Sequence, residues 1–165
     1  MDYLLAFLFP YQPLPRRYNV ALLVMRLLFG GLLMWHGVSK IMAIDALSAS
    51  FPDPMGLGGR LSLYLVIFVE VVCSVAVIFG AFYRLALIPI IVAMAVALFW
   101  VHRGDAFAVK ELAFIFFAVF VLMFVMGAGA YALDNIIAKR LYENHLAIVD
   151  KSSAFRPEDY SSSEE

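Results

Sequence analysis

Three ionisable side chains interrupt the first long apolar segment of this chain. The stretch RLLFGGLLMWHGVSK contains Arg26, His36 and Lys40 within a run that is otherwise apolar enough to cross a membrane. A central arginine costs about 2.5 to 3.5 kcal/mol on insertion scales, so such a group is expected to face a bundle interior and to have a partner there. Groups of this kind fix helix register, bind ligands or relay protons.

Glu70 is the natural partner, because it is the only acid well inside the second apolar segment. We expect Arg26 and Glu70 to pair in the bundle interior. Three uses of the pair remain open: a buried ion pair that fixes helix register, a binding site for a quinone or a lipid headgroup, and a step in a proton path. Cys73 follows one turn after Glu70 and is expected to be an inert buried residue.

Helical spacing places the charges of the first segment on one face together with glycines. Arg26, Gly30, Leu33, Gly37 and Lys40 follow one another at intervals of four, three, four and three residues. Glycines let a neighbouring helix approach closely, so this face is predicted to point into the bundle. The glycines expected at packing positions are Gly30, Gly31, Gly37, Gly127 and Gly129.

A second polar cluster is predicted at the outer mouth of the bundle, from residues at the ends of three apolar segments. Its members are His36, Lys40, His102, Arg103, Lys110 and Glu111. Glu111 also begins a stripe that runs through Ile115 and Leu122 to Gly129, which predicts that its carboxylate faces the interior. Two histidines at equal depth suggest haem ligation, but snorkelling cations and a polar mouth explain them more simply. We therefore assign neither a metal site nor a catalytic residue.

Composition identifies an integral membrane protein. The 165 residues are 64% hydrophobic and 15% charged, with a mean hydropathy of +0.91. The formal net charge of −1 offers no basic surplus for nucleic acid. A single cysteine excludes an internal disulfide, so thiol redox chemistry would need a partner.

The apolar runs predict an all-α fold: a four-helix antiparallel transmembrane bundle followed by a cytoplasmic amphipathic helix. The spans are expected at about 20–41, 61–83, 85–101 and 112–133, within a membrane domain of residues 20–133. We expect residues 1–19 to form an aromatic interfacial or partner-binding arm, residues 134–150 the amphipathic helix, and residues 151–165 a polar acidic tail.

The distribution of cations predicts the orientation. Five cations (Arg16, Arg17, Arg84, Lys139 and Arg140) lie on the side of the termini, and four (Lys40, Arg60, Arg103 and Lys110) lie on the other. Positive loops tend to stay in the cytoplasm, so both termini are expected inside. We expect a multi-pass protein of the bacterial inner (cytoplasmic) membrane.

The order of these motifs resembles the DoxX family of small four-helix membrane proteins. An arginine and glycines lead into HGVSK, a mid-membrane glutamate follows, then GAFYRLA, a histidine, and KELAFIFFAVFVLMFVMGAGAYALD. The resemblance covers about residues 20–134 and implies the fold together with a respiratory or redox-complex setting. By position, the family's recurring polar pattern falls on Arg26, His36, Gly37, Lys40, Glu70, Glu111 and Asp134.

Three classes of function follow from the sequence. The preferred one is an accessory subunit of a respiratory or redox-linked membrane complex, which stabilises or docks other membrane subunits and contacts lipid. The second is an oxidoreductase subunit that binds quinone or lipid through interior Glu, His and Arg groups, with quinone as its cofactor. The third is a small transporter of protons or solutes. The chain is not expected to be catalytic alone.

Overall fold

Residues 14–140 form four long helices in the computed structural model, which describes that part of the chain. Each of the four is long and apolar enough to cross a membrane, and no strand occurs among the described residues. The spanning helices are α1 (Arg16–Met42), α3 (Gly59–Phe79), α4 (Tyr83–Val101) and α5 (Phe107–Met126), and a short helix α2 (Ile44–Ser48) follows α1. The predicted all-α transmembrane bundle is confirmed.

Local sequence signals set the ends of these helices. Pro15 directly precedes the first residue of α1. Backbone N–H groups at the start of a helix have no partner within it, so a proline there costs no helical hydrogen bond. α5 begins at Phe107, five residues before the predicted start, and it ends at Met126 because Gly127 has a φ of +83°. The last span is therefore displaced toward the N-terminus relative to the prediction of 112–133.

Two of the spanning helices contain a π-helical turn. In α3 the turn covers Val69–Cys73, between α-helical segments Gly59–Phe68 and Ser74–Phe79. In α4 it covers Ala97–Val101, at the end of the α-helical segment Tyr83–Val96. Such turns insert one extra residue into a helix, and they occur often at functional sites.

The core is formed by one face of each spanning helix. Leu33 of α1 packs in one cluster with Leu87 and Ile90 of α4 and with Phe116 and Phe120 of α5. Most of the remaining helix surface is apolar and exposed, as expected for a surface covered by lipid.

The predicted interior stripe of α5 was wrong. Ile115, Leu122 and Val125 are exposed, by 42%, 56% and 71%, and Glu111 at the start of the stripe is exposed too. The buried face of α5 instead carries Phe116, Phe120 and Met123. Phe116 follows Ile115 and Met123 follows Leu122, so the buried face is shifted by one residue from the predicted stripe. Beyond Lys110 and Glu111 in its first turns, α5 is uncharged and apolar, so no polar residue further along the helix marked its inner face.

Two glycines bring α1 and α3 into close contact, in agreement with the predicted face of α1. A Cβ added at Gly30 would lie 2.8 Å from Ile78, and one at Gly37 would lie 2.9 Å from the Glu70 Cβ. Gly129 lies beside Leu22. Gly31 and Gly127 pack against nothing among residues 14–140, because a Cβ at either would meet no atom of that part of the chain within 4 Å.

The predictions for the termini fall mostly outside the described residues. Of the predicted arm, residues 16–19 belong to α1, and residues 1–13 are not described. Residues 133–140 are helical, where the amphipathic helix 134–150 was expected to begin. The rest of that helix and the acidic tail lie beyond the described part of the chain and remain predictions.

Candidate functional site

Lys40 and Glu70 form an ion pair between α1 and α3. The Lys40 Nζ donates to Glu70 Oε1 at 2.6 Å and also contacts Oε2. The Glu70 side chain is 5% exposed and that of Lys40 is 25% exposed. Gly37 lies against the Glu70 backbone one turn before Lys40, so the absence of a side chain there lets α1 come close enough for the pair to form.

The predicted pairing of Arg26 with Glu70 was therefore wrong. Gly30 packs beside Ser74 and Ile78, and Gly37 beside Glu70, which places Arg26 level with the end of α3. The ten residues of α1 that precede Arg26 extend beyond that end by about 15 Å. A pairing of Arg26 with Glu70 would need the ends of the two helices to be level, and this offset instead separates the two residues along the bundle axis.

Arg26 binds backbone carbonyls at the end of α3 and in the segment that follows α5. Its guanidinium donates to the carbonyl oxygens of Ala128 at 2.7 Å, Tyr131 at 3.1 Å and Ile78 at 3.2 Å. Only 1% of the residue is exposed. The last carbonyls of a helix have no partner within it and carry partial negative charge, so the cation neutralises the end of α3 and ties it to the segment that follows α5.

Asp134 has the complementary role at the start of α4. Its carboxylate accepts hydrogen bonds from the amides of Phe82 at 2.8 Å and Tyr83 at 2.7 Å, and its own amide donates to the Gly80 carbonyl at 2.9 Å. An anion at a helix N-terminus is stabilised by the unpaired amides there. Arg26 and Asp134 thus join the helix ends on one side of the bundle, which is a structural role.

A cavity of about 400 Å³ opens between α3 and α4 at the other end of the bundle. We call it the α3–α4 cavity. Its walls are almost entirely apolar side chains of α3, α4 and the segment 51–57, with Lys40, Glu70 and His102 as the charged or ionisable groups among its lining residues. Both π-helical turns contribute to the lining, through Val69 and Glu70 on α3 and through Ala97 and Val101 on α4.

Asp53 holds the loop that covers the cavity. Its carboxylate accepts from the Gly58 amide at 2.7 Å, the Leu57 amide at 2.9 Å and the Ser62 hydroxyl at 2.9 Å. The Gly58 hydrogen bond, together with those of Ser62 and Leu57, lowers the pKa of Asp53 below its usual value. The loop thus depends on an ionised carboxylate, because a protonated one is a weaker acceptor for these donors.

The structure brings only part of the predicted outer cluster together. Lys40 and His102 line the cavity, and His102 Nδ1 lies 2.7 Å from Asp105 Oδ2. His36 contacts the Phe116 ring edge-on, with 5.8 Å between the ring centroids, and does not line the cavity. Arg103, Lys110 and Glu111 do not line it either; Arg103 and Glu111 are exposed and Lys110 is half-buried.

Several residues of the site were not identified from the sequence. Asp53 stands before a glycine-rich turn, which is a recognisable signal for a side chain that binds loop amides. Pro89 and the two π-helical turns also line the cavity, but no sequence rule locates a π turn. Among residues 14–140, no group of three or more His, Cys, Asp or Glu side chains is arranged to hold a metal ion.

The fold and the site define a multi-pass membrane protein with four spanning helices and an ion pair beside an apolar cavity. The DoxX family model matches residues 21–103, a little over half of the chain. The chain belongs to the DoxX family. Comparisons with curated proteins and with solved structures found no match.

Proposed function

We propose that this chain is a ligand-binding subunit of a redox-linked membrane complex, and that the α3–α4 cavity holds a small amphiphile of the quinone or lipid class. One observation carries the proposal: an apolar space of about 400 Å³ whose wall contains the Lys40–Glu70 ion pair. Ligand sites commonly measure about 300 to 1,000 Å³ and combine apolar walls with a few polar groups that orient the ligand.

The cavity is open at the surface of the bundle. Leu65 and Val92 on its walls are 46% and 50% exposed, so an apolar chain can enter from the side, and an unoccupied cleft leaves these side chains without contacts. Pro89 adds to the opening, because its ring interrupts the hydrogen bonding of α4 where the cavity begins. An amphiphile from the bilayer would restore the missing contacts.

The polar end of the cavity suits a carbonyl or hydroxyl head. A quinone carbonyl can accept a hydrogen bond from Lys40, and a quinol hydroxyl can donate one to Glu70. The chain would then bind and orient the ligand, while a partner subunit supplies electrons. This role combines the accessory-subunit and quinone-binding alternatives that the sequence left open, and the respiratory setting rests on the family.

Filling the cavity tests the proposal. Ala93 lines the cavity, so Ala93→Phe should exclude the ligand, whereas Val125→Phe adds the same ring to a position of α5 that is 71% exposed. Both variants and the unaltered protein are isolated in nanodiscs of native membrane, and the quinones and lipids retained are quantified by mass spectrometry.

We expect one amphiphile class to be enriched in the unaltered protein and in Val125→Phe, and to fall to the level of bulk membrane in Ala93→Phe. Equal retention by all three proteins would refute ligand binding in the cavity.

Partner subunits that co-isolate with the chain are identified in the same samples. A chain isolated without any partner would count against the role as a subunit of a complex.

A further inference from the structure

We propose that the α3–α4 cavity selects an electrically neutral amphiphile with a hydroxyl head and rejects the ionised carboxylate or phosphate of the same chain length. The inference rests on the proposed function, since it concerns the charge of the ligand that this cavity takes. It comes from the way in which the charged side chains of the cavity are already paired.

The cation at the polar end is neutralised before any ligand arrives. Lys40 Nζ contacts both carboxylate oxygens of Glu70, so two of its three N–H groups are directed at this partner. A second anion would have to compete with Glu70 for the same ammonium group. It would also lie close to the Glu70 carboxylate, and like charges in a poorly hydrated site repel strongly.

The other ionisable group of the lining is paired as well. His102 contributes its ring to the cavity, and its Nδ1 lies 2.7 Å from the carboxylate of Asp105. Within the described residues, each charged or ionisable group that lines the cavity thus already has a hydrogen-bond partner. The Lys40 ammonium is compensated by Glu70, so no unpaired cation among the described lining residues is offered to a ligand.

Neutral polar heads keep a favourable interaction at this end. The Lys40 ammonium has a third N–H to donate, and each Glu70 oxygen has a lone pair beyond the one used by Lys40. A hydroxyl can accept a hydrogen bond from this Lys40 N–H and donate one to a Glu70 oxygen without displacing either side chain. The apolar walls, including Leu65 and Val69 of α3 and Val92 and Val96 of α4, then surround an alkyl chain, where an ion would lose its hydration.

Matched photoreactive probes measure this selectivity. A fatty alcohol and the fatty acid of the same chain, each with a diazirine in the tail, are added to the protein in phosphatidylcholine vesicles at about pH 9, where the bilayer-bound acid is ionised. After illumination, labelling is quantified in the cavity segments (residues 51–70 and 89–102) and in the lipid-facing segment 112–126. The ratio of the two corrects for unequal partitioning of the probes into the bilayer.

In the unaltered protein we expect the ratio of cavity labelling to lipid-facing labelling to be about tenfold higher for the alcohol than for the acid. An excess of unlabelled alcohol should abolish the cavity labelling. Glu70→Gln leaves the Lys40 charge unpaired and should reverse the preference toward the acid. Lys40→Gln combined with Glu70→Gln removes both charges and should restore the preference for the alcohol. Glu111→Gln changes net charge equally at an exposed position outside the cavity and should alter nothing.

The outcomes separate this inference from the proposed function. Saturable cavity labelling by the acid that equals or exceeds labelling by the alcohol would refute charge selection and leave ligand binding intact. If neither probe labels the cavity saturably, ligand binding itself fails. If Glu70→Gln does not fold, the comparison of the double variant with the unaltered protein still decides, since loss of the preference for the alcohol there would overturn the inference.

Discussion

Arg26 is the largest fully buried side chain among the described residues, and its position changes the meaning of the polar groups around it. Its partners are three backbone carbonyls, so its charge serves the end of α3 and the segment that follows α5. Glu70 forms its ion pair with Lys40 instead, and the ammonium group of Lys40 lies beside the cavity. Two of the cations of α1 thus have separate places: Arg26 joins backbone segments at one end of the bundle, and Lys40 lies beside the α3–α4 cavity.

Substitutions at Lys40 and Glu70 are therefore expected to be coupled. Lys40→Met or Glu70→Gln alone removes one member of a partly buried pair, which costs about 3 to 5 kcal/mol in buried soluble pairs, and removing both is milder. The apparent melting temperature in detergent should fall for each single variant and recover for the double variant.

A second cycle provides the control. Arg26→Met and Glu70→Gln involve residues that do not touch, so their effects should add. Strong coupling between these two, with simple addition for Lys40 and Glu70, would mean that the pairing described here is wrong.

Asp53 makes the loop over the cavity sensitive to acid. Its pKa is lowered in the folded protein, mainly by the Gly58 hydrogen bond, so its contribution to the stability of the loop is complete above the unfolded value of about 3.9. That contribution is lost as the pH falls through the lower, folded-state pKa. Hydrogen exchange at the Leu57 and Gly58 amides, corrected for intrinsic rates, should accelerate in that range.

Asp53→Asn supplies the comparison for the acid effect. An amide keeps the shape of the side chain but has only one acceptor oxygen, so both loop amides should exchange faster at neutral pH as well. Their protection should then no longer change in the acid range. If protection instead falls in parallel with pH in the unaltered protein and in the variant, another group controls the loop.

At the scale of the helices, the apolar pattern located the four spans and the polar spacing located the inner face of α1. Arg26, Gly30, Leu33 and Gly37 are all buried, because a helical interval of three or four residues determines a face whatever packs on it. Partners across the bundle depend on the axial offset between helices, and intervals within one helix carry no information about that offset. This is why Lys40 was placed on the correct face and Arg26 was given the wrong partner.

The contact of α1 with α3 gives a prediction with a control in the same helix. A Cβ at Gly37 would lie 2.6 Å from Val71 Cγ2 and 3.2 Å from the Glu70 backbone, so Gly37→Ala must push the helices apart. Gly31 has open space around it, and Gly31→Ala should be neutral or stabilising by up to about 1 kcal/mol.

Thermal unfolding in detergent distinguishes the two alanine variants. Gly37→Ala should lower the apparent melting temperature and reduce retention of the cavity ligand, because the displaced Glu70 no longer meets Lys40. A Gly37→Ala protein as stable as Gly31→Ala would contradict the close approach of α1 and α3.

For the whole molecule, four antiparallel spans place both ends of the described chain on one side of the membrane. The cytoplasmic location of that side remains a prediction from the distribution of cations. Gly104 in the link between α4 and α5 and Arg140 after α5 lie on opposite sides, and Gly104 has open space around it.

Single cysteines at these two positions test the orientation. In a Cys73→Ser background, an impermeant thiol reagent applied to intact cells should label Gly104→Cys and leave Arg140→Cys unlabelled until the membrane is opened. The reverse pattern would invert the orientation without affecting the fold.

The binding of Arg26 also has a consequence for the order of events during synthesis. Its carbonyl partners follow it by 52, 102 and 105 residues, on segments made after it. At about 5 to 20 residues per second, the ribosome needs roughly 5 to 20 s to make the last of them. During that interval the first helix carries an unsatisfied guanidinium, so its final seating must wait until the fourth helix has left the insertion machinery.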